Sequence, residues 1–77
     1  KVPDKLKLLH PELSDTTWEV LARIMDNPQV TAVEIGSLMG ISDRMVRKHI
    51  ALLRNAHIIY RHGSNKSGYW RLLDEEE

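Results

Sequence analysis

The side chains that could do chemistry fall into two sets, and the first set leads nowhere. Four histidines, His10, His49, His57 and His62, are spaced 39, 8 and 5 residues apart, and there is no cysteine. No two of these imidazoles fall on adjacent turns of one helix, so a zinc site is not expected. The absence of cysteine also removes disulfides and thiol nucleophiles. No activated nucleophile, paired-carboxylate arrangement or phosphate-binding loop is visible, so no enzymatic activity, metal or cofactor is expected. The second set is cationic. Arg44, Arg47, Lys48 and Arg54 crowd into the stretch Ser42 to Arg54, with Asp43 alone opposing them.

The formal net charge of zero would argue against a nucleic-acid partner, but the distribution reverses that argument. From Thr31 to Leu72 there are seven basic residues against Glu34 and Asp43, a balance of +5, and the remainder of the chain carries −5. An electrostatic footprint depends on where charge sits, so this segregation outweighs the sum. A plain alternative is a core helix whose solvated face happens to be basic.

The element that must position these cations is a helix over residues 42–55. Val46, Ile50 and Leu53 fall at i, i+4 and i+7 and share a face turned to a core. Ser42 is a suitable N-cap, because its hydroxyl can accept from an orphan N–H of the first turn. Before it, Thr31 and Glu34 form a capping box that opens another short helix, whose buried side is expected to be Val33, Ile35, Leu38 and Met39. Gly36 inside that helix costs about 1 kcal/mol relative to alanine, which a close approach to a neighbour would explain. Gly40 is the expected C-cap, and Ile41 is expected to pack between the two helices. Helix, short glycine turn and basic amphipathic helix make a helix-turn-helix pattern.

An earlier helix is expected from Ser14 to Asn27, opened by a Thr16–Glu19 capping box and ended by Asn27-Pro28. Trp18, Leu21, Ala22 and Met25 supply its apolar stripe, widened by Val20 and Ile24. Gln29-Val30-Thr31 could serve as a brief first strand. After the basic helix, His57 to Arg61 and Tyr69 to Leu73 read as strands of a hairpin around the turn cluster 63–68. Trp70 and Leu72 share the face expected to meet the helices. Residues 1–13 read as a linker or arm lying against the domain, or as a short helix for dimerisation or docking. Residues 14–73 form the domain, and 74–77 an acidic tail.

The fold class expected is mainly α with a small β-hairpin: a three-helix bundle with a two- or three-stranded antiparallel wing sheet. The run VTAVEIGSLMGISDRMVRKHIALLRNAHIIYR followed by GSNKSGYW resembles the winged helix-turn-helix family across roughly residues 16–73. Its wing is similar to that of the C-terminal domain of RecG-related bacterial transcriptional regulators, which commonly carry an AlbA-type or divergent ATPase-like domain upstream. One departure is His57, where such sequences usually place glycine; histidine is among the residues that tolerate positive φ.

The resemblance implies a DNA-binding domain of a bacterial regulator, cytoplasmic, with double-stranded DNA as partner. It leaves room for a homodimer and an upstream domain, and no membrane is involved. The third helix would enter the major groove. Asp43, Arg44, Met45, Arg47 and Lys48 occupy the positions that reach base edges, with Arg44 or Arg47 reading guanine. Ser42 and its neighbouring N–H groups could hold a phosphate. Lys48 and Arg54 suit phosphates, Asn65 and Lys66 sit in the wing, and Arg61 and Arg71 extend the basic surface at its base. The competing reading is a winged helix used for protein–protein contact, supported by the zero net charge and by apolar Met45 among the reading residues.

Overall fold

A computed structural model describes residues 2–63 and 68–73 of the chain. Four helices precede a hairpin: α1 (Asp4–Leu9), α2 (Asp15–Asp26), α3 (Ala32–Met39), α4 (Asp43–Asn55), β1 (Ile59–His62) and β2 (Tyr69–Leu72). The three helices expected from the sequence are α2, α3 and α4, and the described residues have the mainly helical, winged helix-turn-helix fold. The strands are antiparallel, with Ile59 opposite Leu72 and Arg61 opposite Trp70.

The N-terminal stretch contains α1, whose Leu6 is buried in the core. The capping box expected at Thr16 and Glu19 does not form. The helix has the expected span, but Ser14 is its cap, with Ser14 Oγ accepting from the Thr17 N–H at 3.3 Å. Thr16 therefore lies inside the first turn, and the Glu19 carboxylate instead reaches the Arg23 Nε at 3.1 Å, four residues on. Thr31 and Glu34 do form the expected reciprocal box at the start of α3.

The core is built on α2 and α4. Leu21, Ile24, Val20 and Trp18 from α2 meet Val46, Ile50 and Leu53 from α4, with Ile35 from α3 and Ile58, Ile59 and Leu72 from the hairpin region closing the sides. The expected buried side of α3 is corrected: Ile35 is buried, but Val33 and Leu38 are 61% and 60% exposed. This helix approaches the core through its glycine rather than a broad apolar stripe. A Cβ on Gly36 would stand 2.6 Å from the Ile41 carbonyl oxygen and 3.3 Å from the Asp43 nitrogen. The close approach is thus to the backbone of the turn leading into α4.

Two helix exits set the chain's direction. Gly40 ends α3 at φ 73°, and the next residue's N–H, on Ile41, returns to the Gly36 carbonyl at 3.0 Å. At the end of α4, His57 adopts φ 60°. Its N–H donates to Arg54 O and the Ile58 N–H donates to Leu53 O, both at 3.0 Å, the paired bonds of a Schellman motif. Ile58 and Leu53 are both buried, which supplies the apolar contact that accompanies the motif. The strand expected at Gln29–Thr31 is absent: among the described residues the sheet has two strands. Val30 is buried, and the Trp70 N–H donates to Pro28 O at 2.8 Å, so this segment meets β2 through a single backbone bond.

Candidate nucleic-acid interface

Residue spacing makes α4 two-sided. Ser42 caps it, its Oγ accepting from the Met45 N–H at 3.1 Å, which frees the first turn to face outward. The inward face is Val46, His49, Ile50 and Leu53, all buried. Helical periodicity puts Arg44, Lys48 and Ala51 on the outer crest, Arg47 and Arg54 on one shoulder, and Met45 and Leu52 on the other. Ser42, Arg44, Arg47, Lys48 and Arg54 are exposed, and Asp43 is half-buried. Met45 is 44% exposed.

Arg47 is not independent. Its guanidinium lies 3.6 Å from the Asp43 carboxylate one turn back. A surface pair of this kind is weak and screened, so it restrains the side chain without consuming it. Arg44, by contrast, has no carboxylate partner among the described residues.

The shoulder of Arg47 and Arg54 forms one wall of a cleft of about 390 Å³. Val30 and Ile50 supply its buried apolar lining, Ala51 lines it from α4, and Arg61 and Trp70 line it on the hairpin side. Cross-strand register places Arg61 directly opposite Trp70, on the face that also carries buried Ile59 and Leu72. Strand alternation puts Tyr60, His62, Tyr69 and Arg71 on the other face, where the His62 and Tyr69 rings lie 5.1 Å apart. The cleft therefore joins Arg47, Arg54 and Arg61. Asn65 and Lys66 lie outside the described residues.

His49 is the polar residue of the inward face. Its Nδ1 lies 2.8 Å from Thr17 Oγ1, which lies 3.1 Å from Ser14 Oγ. The cap of α2 is thereby connected to the middle of α4 through buried Thr17. Burial, and secondarily the charge of Lys48, hold the His49 pKa below its ordinary value. The neutral ring is the form the core accepts. Its threonine partner is not legible in the sequence, because two positions 32 residues apart carry no local signal of pairing.

A capped helix with a cationic outer face, joined through a short glycine turn to its predecessor and flanked by a hairpin, defines a helix-turn-helix domain with a wing. The family comparison agrees. Residues 13–60, from just before α2 into β1, match the family model described as winged helix-turn-helix DNA-binding. The chain belongs to that family and is a DNA-binding domain with double-stranded DNA as its partner. No curated protein and no solved structure matches it significantly. Among the described residues, no helix is long and apolar enough to cross a membrane.

Proposed function

We propose that this chain is the DNA-reading module of a bacterial transcriptional regulator acting in the cytoplasm, with α4 in the major groove and the wing at residues 63–68 on the backbone or in the minor groove. The observation that carries this reading is the outer face of α4: four exposed cations on a capped helix, with the hairpin beside it. A helix fits the major groove, and residues near its N-terminus reach base edges. Arg44 and Arg47 are the base-reading pair, each able to give guanine two hydrogen bonds. Lys48 and Arg54 contact phosphates, Ser42 offers a phosphate the N–H groups beside it, and Asn65 and Lys66 carry the wing contact. Met45 stands ready for a thymine methyl.

A module with so few phosphate contacts binds weakly as a monomer, and a homodimer or an upstream domain supplies the remaining affinity and the site spacing. The wing's likeness to RecG-related regulators points to a parent chain of that kind. Exposed Met45 and Leu52, together on one shoulder of α4, favour a second reading in which the same helix docks a protein.

Fluorescence anisotropy with a random-sequence duplex at several salt concentrations tests the proposal. Binding that weakens linearly in log–log form, and drops in Arg47→Ala and Lys66→Ala, supports it. A wild-type chain that shows no salt-sensitive binding even at low ionic strength, yet holds a protein partner in high salt, sinks it.

A further inference from the structure

The base of the wing carries a guanidinium pair organised differently from the reading end of α4. Arg54 leaves the last turn of α4 and Arg61 leaves β1. Both guanidinium carbons nevertheless lie against the ring of Trp70 on β2, at 6.0 and 5.0 Å from its centroid. These distances are within the range of cation–π attraction. Among the described residues neither Arg54 nor Arg61 is paired with a carboxylate, whereas Arg47 has Asp43 and Arg23 has Glu19. An indole face restrains a guanidinium without neutralising it, and leaves its N–H donors for an anion. Trp70 itself is anchored, because its N–H is bonded to Pro28 O at 2.8 Å and its side chain packs against the core.

We propose that Trp70 is a positioning residue for DNA binding, whose ring holds Arg54 and Arg61 as a preformed clamp for the sugar–phosphate backbone at the wing base. The inference rests on the DNA reading above and adds to it a residue that touches no base. Two cations from different elements would otherwise each lose rotamer freedom on meeting a phosphate; the ring removes part of that loss beforehand. The clamp contributes affinity and register, and is indifferent to base sequence.

The test is a set of anisotropy titrations across salt, with a melting curve for every variant. Arg54→Ala and Arg61→Ala are each expected to weaken all duplexes alike and to lower the salt slope by about 1. Trp70→Leu is expected to weaken binding roughly fivefold, the equivalent of one exposed cation–π contact, while Trp70→Phe keeps most of the affinity. In the Arg54→Ala/Arg61→Ala background, Trp70→Leu should have no further effect, which a merely structural tryptophan would not show. Arg61→Lys preserves charge but not the planar stack, and should weaken binding as well. Full affinity in a folded Trp70→Leu chain, or an undiminished effect of it without the two arginines, overturns the clamp. Should Trp70→Leu fail to fold, Arg61→Lys decides: wild-type affinity in that variant overturns the clamp. Absence of salt-sensitive binding in the wild type would instead overturn the DNA reading itself.

Discussion

The two faces of α4 use the same helix for opposite ends. Inward, Val46, Ile50 and Leu53 are buried in the core that α4 shares with α2, α3 and β1, and the one polar residue, His49, is bonded to Thr17. Outward, Arg44, Arg47, Lys48 and Arg54 stand in solvent, and Arg47 has one weak surface pair. Inward positions should therefore decide stability and outward ones binding. The teaching is that the direction of the cationic face is set by residues on the opposite side of the same helix.

The strongest attempt to break that division is Leu53→Ala. Deleting a fully buried leucine is expected to destabilise the domain by about 2–5 kcal/mol, enough to unfold much of it, as measured by denaturant titration. Gly36→Ala comes next. Its new methyl must displace the backbone at Ile41 and Asp43, at a cost of about 1–3 kcal/mol. Because that backbone leads directly into α4, the surviving folded fraction should also bind DNA less well. Unchanged melting would show that the turn yields freely.

Arg47→Ala probes the other face. It is expected to cost about 1–3 kcal/mol of binding to the preferred sequence. Its melting temperature should stay near wild type, since exposed substitutions usually fall within about 0.5 kcal/mol. A large drop in melting temperature would dissolve the distinction between the faces.

His49 sharpens the comparison through pH. Its pKa is lowered in the folded chain, so below the ordinary histidine value of 6.5 the unfolded chain takes up a proton that the folded one resists. The contribution is complete above that value and is lost as pH falls through the folded pKa. Melting curves of His49→Gln should lack that loss. The smallest effect is expected from His57→Gly, which relieves an L-residue held at φ 60° and should stabilise the chain by up to about 1 kcal/mol.

The inward stripe of α4 is legible in the sequence because i, i+4, i+7 spacing leaves one solution, and the exposed cations follow from the same periodicity. The positive φ at His57 is foreseeable through the resemblance, because winged-helix sequences usually place glycine there and histidine tolerates that region. The span of α2 is legible too, but its cap is not: Thr16 and Glu19 have the spacing of a capping box, and the tertiary bond from Thr17 to His49 that accompanies the Ser14 cap carries no local signal. Val33 and Leu38 misled because apolar residues on an eight-residue helix need not all find a core; Gly36, by touching backbone, had already fixed which side faces in. The cleft under Trp70 escaped for a different reason. It forms where the segment before α3, the shoulder of α4 and the hairpin meet, and it requires the strand register that sets Arg61 opposite Trp70.

The bond from the Trp70 N–H to Pro28 O has a kinetic consequence. It closes a long circuit of the chain, joining the return strand to a segment laid down before α3. Contacts that span such separations carry the greatest closure entropy, so the helical hairpins can assemble before this ring is sealed. The hairpin should then arrive last, and the backbone amide of Trp70 should report in hydrogen exchange whether it also opens first. If it does, the molecule possesses a partly folded state in which the helices are already docked and the hairpin is still undocked.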